Sequence, residues 1–242
     1  MTRRTALQIM LAPAAWLRGQ APRDMPAGKL SAPHVLFDGT TLQHFRTPAG
    51  ATSPSVSWRI ADGALESIPN ARRECDLWTA AEYDNFDLEF DWKVGLHGNS
   101  GVKYMIQAPA TDRLQDEEGE YIHESSLGFE FQLVDDHSPA ANDPKHVSGA
   151  LYNYLPPAQR ASHPTGEWNS ARLLVSGEHI EHWINGKRIL AYSLQSSALK
   201  SALAANRAGS ARLLERLAKR KTPIAFQHHH SSVAFRSIRI RT

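Results

Sequence analysis

Two short stretches of this chain carry residue types suited to proton chemistry. GFEFQLVDDHSP, residues 128 to 139, sets Glu130 and Gln132 about 6.6 Å apart along a strand and pointing the same way, with Asp135, Asp136 and His137 crowded at its end. A carboxylate in such a row could serve as a general base. The bland alternative is a solvated polar face, since strand exteriors are commonly polar without chemical purpose. The second stretch, IAFQHHHSSVAF from residue 224, runs from alternating apolar residues into Gln227, His228, His229 and His230. Alternation puts Ala225, Gln227 and His229 on one face and Ile224, Phe226, His228 and His230 on the other, so the histidines cannot all serve one strand face. Adjacent histidines also lack the i, i+2 spacing for shared metal ligation from one strand, and an ordinary polar turn around His230 is the competing reading.

Other polar segments are candidates of the same kind. In HGNSGVKY, residues 97 to 104, glycines flank Asn99-Ser100, so the backbone can turn tightly and approach a ligand; no helix follows, which excludes a phosphate loop. GEWNSARLLV and HIEHWINGKRI supply Trp168, Asn169, His182, Trp183 and Asn185. His182 shares its strand face with Ile180 and Ile184, which reads as a satisfied core histidine, and Trp168 reads as a packed core residue rather than a sugar platform.

The elements that must position these residues are mostly strands. FDLEFDWKV, residues 86 to 94, alternates Phe86, Leu88, Phe90 and Trp92 with Asp87, Glu89, Asp91 and Lys93, as a half-buried antiparallel strand does. VKYMIQ (102 to 107) and GFEFQLV (128 to 134) repeat the pattern, with Lys103, Gln107, Glu130 and Gln132 on their polar faces. Residues 171 to 193 contain Ser176-Gly177-Glu178 and Asn185-Gly186, two turn signals that predict a three-strand meander. Phe235 and Ile238 break the alternation of the last strand, which predicts a bulge. Residues 196 to 221 have helical composition, divided at Gly209 and ended by Thr222-Pro223, and the acidic stretch from Ala110 to Ser126 reads as a long loop. Many strands and one late helical segment predict an all-β jelly-roll sandwich.

Composition narrows the function classes. The chain of 242 residues is 41% hydrophobic and 21% charged, with net charge +2, so nothing in it favours nucleic acid or an anionic membrane. One cysteine, Cys75, excludes an internal disulfide framework and a thiolate metal cluster. Residues 1 to 21 have a charged start at Arg3 and Arg4, an apolar stretch and a small-residue exit, the layout of an export signal that leads to the periplasm. That stretch is too short to span a bilayer. Residues 22 to 33, rich in proline, read as a linker, and residues 34 to 242 as one domain.

Read in order, the segments resemble the bacterial 3-keto-disaccharide hydrolase family, also described as 3-keto-glucoside lyases and 3-keto-2-hydroxyglucal hydratases. The carriers are LFDGTTLQHF from 36, the Trp58 to Leu65 stretch, DLWTAAEYDNFDLEFDWKV from 76, GNSGVKYMIQ from 98, GFEFQLVDD from 128, SGALYNYLPP from 148, GEWNSARL from 166, HWINGKRI from 182 and IAFQHHHSSVAFRSIRIR from 224. The resemblance implies a concanavalin A-like jelly-roll fold and a small carbohydrate substrate whose C3 hydroxyl a partner sugar oxidoreductase has already turned into a ketone. That ketone acidifies the C2 hydrogen, so a base can remove it, the enolate can expel the C1 substituent, and water can add to the resulting 2-hydroxy-3-ketoglucal. Carried onto this chain, the resemblance implies Glu130 or His229 as the base, Lys103 stabilising the enolate, and His182 helping protonate the leaving group. It implies substrate contacts from Asn99, Gln132, Tyr152, Asn169, Gln227 and His228. No cofactor is certain, although a divalent metal could sit among His229, Glu130 and Asp135. Two rivals stay open, a non-catalytic lectin-like module and an ordinary glycosidase; the latter is disfavoured because Gln132 stands where a second carboxylate would be needed.

Overall fold

The computed structural model describes residues 31–50, 56–206 and 209–242. The export signal expected at residues 1 to 21 and most of the 22 to 33 linker lie outside the described residues. The elements in chain order are β1 (His34–Phe37), β2 (Phe45–Arg46), β3 (Trp58–Ala61), β4 (Ala64–Ser67), β5 (Arg73–Cys75), β6 (Leu77–Thr79), β7 (Phe86–Val94), β8 (Asn99–Asp116) and β9 (Gly119–Val134), followed by β10 (Asn169–Ser176), β11 (His179–Ile184), β12 (Lys187–Ser193), α1 (Ser197–Ala205), α2 (Gly209–Arg216), β13 (Ala225–Phe226) and β14 (Val233–Arg241).

These strands build two sheets. One runs β12-β11-β10-β7-β14-β4-β3, with β1 added against β14, and the other runs β2-β6-β13-β8-β9-β5. Pairing is antiparallel except between β5 and β9. This is the all-β jelly-roll sandwich that the alternating patterns predict. The apolar faces meet between the sheets: Phe90 of β7 lies 6.2 Å from Phe131 of β9 and 6.0 Å from Phe226 of β13, ring centroid to centroid, both edge to face. Each such fully buried ring contributes roughly 2 to 3 kcal/mol through burial alone.

The meander over residues 171 to 193 forms as β10, β11 and β12, and its second turn has Asn185 at φ 49° and Gly186 at φ 74°, the left-handed pair an Asn-Gly hairpin requires. The predicted bulge in β14 is present: the register with β7 shifts between Arg236 and Arg239, and Ser237 sits at φ 54°. Ser196 caps α1 by accepting from the Leu199 N–H at 3.3 Å. α2 stops at Arg216, short of Thr222-Pro223, because Leu217 turns to φ 41°.

Two expectations are corrected. Residues 110 to 126 are not a loop but the far half of the β8–β9 hairpin. No apolar alternation marks it, since this half is a largely exposed ribbon held by cross-strand polar pairs such as Arg113 with Glu120 at 2.7 Å and by the Asp116 carboxylate accepting from the Glu118 N–H at 2.9 Å. Trp168 is not in the core either; it lies on the outer face of the larger sheet with the Arg236 guanidinium 4.0 Å and the Lys93 ammonium 4.9 Å from its ring centroid.

Candidate active site

The register of the smaller sheet assembles the polar side chains. Lys103 of β8 stands directly across from Glu130 of β9, and Gly101 across from Gln132. On the other side of β8, Ala225 of β13 faces Lys103, and the Gln227 N–H donates to the Gly101 carbonyl at 2.8 Å. Alternation therefore sends Val102, Tyr104, Phe129, Phe131 and Phe226 into the core and brings Lys103, Glu130, Gln132 and Gln227 together on the outer face.

That outer face is covered. Glu130 keeps 9% of its surface, Lys103 and Gln227 6% each, and Gln132 1%. Part of the cover is the loop from Ser148 to Leu155, which runs along β9: the Gly149 N–H donates to the Gln132 carbonyl at 2.8 Å and the Tyr152 N–H to the Glu130 carbonyl at 2.9 Å. The histidine run and the hairpin close another side, with His123 Nε2 3.1 Å from the His228 carbonyl. Gly101 makes the room that Glu130 occupies; a Cβ there would lie 2.5 Å from Glu130 Oε1.

Burial pushes the Glu130 carboxyl up to about 7, with Lys103 opposing the rise and Asp76 adding to it. The Gln132 amide donates to Asn99 Oδ1 at 3.0 Å, or to Glu130 Oε1 at 2.9 Å if turned over, an alternative set by hydrogen-bond assignment. The Tyr152 hydroxyl is raised by burial and then by the charge of Glu130. His229 is exposed, with its ring 6.4 Å from His123, and its pKa is lowered chiefly by desolvation and then by the charges of His123 and Lys103. The Gln227 Oε1 is buried with no hydrogen-bond partner among the described residues. Glu130, Lys103, Gln132 and Gln227 thus cluster on one outer face with Asn99 hydrogen-bonded to Gln132, Tyr152 on the adjoining loop and His229 two residues past Gln227, and the cluster sets a carboxylate that can take a proton across from a cation.

One member escaped the sequence reading. Asp76, between β5 and β6, is 0% exposed and ion-pairs with Lys103 Nζ at 3.5 Å. It also accepts from Ser126 Oγ at 2.7 Å and from the His228 N–H at 3.2 Å, and Ser126 Oγ in turn accepts from Trp78 Nε1 at 2.6 Å. The signal was a lone carboxylate inside the apolar run Cys75-Asp76-Leu77-Trp78, which must be paired if buried.

Three expected members are elsewhere. His182 is 0% exposed between the sheets, stacked on Phe131 at 4.3 Å, with Nδ1 2.9 Å from the Gly149 carbonyl and Nε2 3.0 Å from the Tyr104 hydroxyl. Phe131 and Glu130 point to opposite faces, so the sheet itself separates His182 from the carboxylate. Burial lowers the His182 pKa to about 4, a neutral core histidine rather than a leaving-group acid. His228 is 0% exposed, edge-on to Trp58 with ring centroids 5.6 Å apart, and its Nε2 lies 3.0 Å from the Ile68 carbonyl, so it offers no side chain to a substrate. Asn169 belongs to the other sheet, where its Oδ1 accepts from the His163 N–H at 2.6 Å and Asn185 Nδ2 at 2.8 Å beside a small pocket also lined by Asp135. The Asp135 carboxylate accepts from Thr165 Oγ1 at 2.7 Å and the His97 N–H at 3.0 Å, and it is not joined to Glu130 and His229 as a metal's ligand set would require. Among the described residues, no group of three or more His, Cys, Asp and Glu converges to hold a metal ion.

Comparison with known proteins shows what the chain is similar to. A protein from Bacteroides thetaiotaomicron named 3-keto-disaccharide hydrolase is 28% identical over 236 residues, spanning 86% of this chain and 77% of its own. Two crystal structures from Parabacteroides distasonis, each of a provisionally assigned glycosyl hydrolase, superimpose with TM-scores of 0.71 and 0.61. The first is 23% identical and covers 86% of this chain and 93% of its own; the second is 26% identical and covers 88% and 100%. Residues 32–241 match the description of the 3-keto-alpha-glucoside-1,2-lyase-like domain, and the chain belongs to that family.

Proposed function

We propose that this protein cleaves 3-keto glucosides and 3-keto disaccharides by elimination across C1–C2 followed by hydration of the 2-hydroxy-3-ketoglucal. The observation that carries the reading is the buried Glu130 carboxylate, raised to about 7 and standing across the strand pair from Lys103. A base with a pKa near the working pH combines a useful deprotonated fraction with strong proton affinity. Glu130 takes the C2 proton, the Lys103 ammonium stabilises the enolate that forms on the C3 oxygen, and the C1 substituent departs. His229 protonates the leaving oxygen; its lowered pKa makes its imidazolium a stronger acid. Water then adds at C1 and gives its proton to the now neutral His229, while Glu130 protonates C2, yielding a free 3-keto sugar and returning both groups to their starting states. Asn99, Gln132, Gln227 and Tyr152 hold the substrate hydroxyls.

An ordinary glycosidase is less well supported. It needs two working carboxyl groups flanking the bond, about 5 to 5.5 Å apart for retention. The second carboxylate near Glu130 is Asp76, which is 0% exposed with its oxygens engaged by Ser126, His228 and Lys103. The reading also puts the enzyme after a sugar 3-oxidoreductase, and the export-signal layout of residues 1 to 21 supports a periplasmic location.

The test compares turnover of a 3-keto glucoside carrying hydrogen or deuterium at C2 and follows the 2-hydroxy-3-ketoglucal by NMR. Removal of the C2 proton by Glu130 predicts slower release of the C1 substituent from the deuterated substrate. Equal rates with no unsaturated intermediate formed would sink the mechanism.

A further inference from the structure

The Lys103 ammonium lies among two carboxylates and is bound by one of them. Glu130 is its cross-strand neighbour, yet the ion pair at 3.5 Å is with Asp76. Asp76 is fixed for that purpose: it is 0% exposed, Ser126 Oγ donates to its Oδ2 at 2.7 Å, the His228 N–H donates to its Oδ1 at 3.2 Å, and Trp78 Nε1 anchors Ser126 at 2.6 Å. Among the described residues Glu130 has no comparable set of donors; the Gln132 amide reaches it at 2.9 Å in one of its two orientations.

We propose that Asp76 is a positioning residue that draws Lys103 away from Glu130, so that the ammonium is held for the substrate's developing oxyanion and Glu130 is left as a base without a bound counter-ion. The inference rests on the reading of Glu130 as the base. A lysine free to choose would close on Glu130, stabilise its charge and weaken it as a base, because an opposite charge brought into contact favours the ionised form. Asp76 prevents this in two ways, by occupying Lys103 and by adding a negative charge near Glu130. The groups facing Glu130 from the surrounding elements are Lys103 on β8, Asp76 between β5 and β6, and Tyr152 on the loop beside β9, with His229 beyond Lys103. The charges act in the same direction: Lys103 opposes and Asp76 adds to the rise of Glu130.

The experiment follows the Glu130 side-chain carboxyl by 13C NMR as pH is varied, in the full chain without substrate, with Glu130→Gln used to assign the resonance. Asp76→Asn is expected to lower the Glu130 midpoint by about one pH unit or more. In a Lys103→Met background the same substitution is expected to lose most of that effect, since no lysine remains to be released. Asp76→Ser, which keeps an uncharged oxygen acceptor for Ser126 and the His228 N–H, makes the same prediction if the asparagine variant is poorly folded. An unchanged midpoint in Asp76→Asn, or an equal fall with and without Lys103, overturns the proposal. Because the titration needs no substrate, it is independent of assays on 3-keto glucosides: failure there with the predicted titration would count against the proposed reaction and leave the Asp76 assignment standing.

Discussion

Gly101 and Glu130 occupy one space: the carboxylate of Glu130 lies where a side chain at 101 would begin, with Oε1, Cγ and Cδ at 2.5, 2.7 and 2.8 Å from an added Cβ. Gly101 has no left-handed φ to explain it, so clearance for Glu130 is the reason for glycine here. Gly101→Ala should therefore swing the carboxylate aside. Turnover of a 3-keto glucoside is expected to fall about a hundredfold or more, with a stability loss of about 1 to 3 kcal/mol, read by steady-state kinetics and thermal unfolding.

Glu130 couples activity and stability to pH in opposite senses. As a base Glu130 must be ionised and as an acid His229 must be protonated, so kcat should be bell-shaped in pH, falling on the acid side as Glu130 takes up its proton and on the basic side as His229 loses its own. The folded pKa of Glu130 lies above its ordinary value of 4.5, so the folded state binds the proton more tightly. Its stabilising contribution is complete below the ordinary value and is lost as pH rises through about 7, on the order of 3 kcal/mol in all. Glu130→Gln should abolish turnover and make the protein more stable than wild type at pH 8, a gain that denaturant unfolding at pH 5 and pH 8 would detect as a difference between the two.

Adjacent histidines should behave differently. His228 fills a buried place beside Trp58, and His228→Ala should cost about 1 to 3 kcal/mol of stability. His229 is exposed, so His229→Ala should leave unfolding within about 0.5 kcal/mol of wild type while lowering turnover by about 10² to 10⁴. Equal stability losses at both positions would contradict this division.

His182 should act through folding. His182→Gln disturbs the contacts to the Tyr104 hydroxyl and the Gly149 carbonyl, and a loss of about 1 to 3 kcal/mol is expected. Because burial depresses its folded pKa from 6.5 to about 4, the stability it contributes is present above 6.5 and is lost as pH falls through about 4. The variant should lack that acid-side slope. A fall in kcat with unfolding unchanged would instead restore it as a leaving-group acid.

How much of this could be read from the residues varies by position. Strong alternation and Asn-Gly chemistry made β7, the near halves of β8 and β9, and the meander legible, and the phase of residues 224 to 229 correctly set His228 inward and His229 outward. Alternation does not say which outer face a polar residue joins. The carboxylates of β7 look like those of β9, yet Asp87, Glu89 and Asp91 lie on the larger sheet and pair with Arg172, Arg241 and Arg236. Nor does it reveal contacts made by distant chain segments: Asp76 meets Lys103 and Ser126 only because β5 pairs with β9 while β6 pairs with β13. The far half of the hairpin went unseen because its tip, residues 111 to 120, has no buried face to impose an apolar period, and the residues buried behind it, Glu124, Ser125 and Ser126, are polar.

The most direct measurement incubates the purified protein, and its Glu130→Gln variant, with a glucoside and with the same glucoside oxidised to the ketone at C3, and follows release of the C1 substituent. The expected result is cleavage of the keto form alone, abolished in the variant. Cleavage of the unoxidised glucoside, or undiminished cleavage of the keto form by Glu130→Gln, would contradict the account.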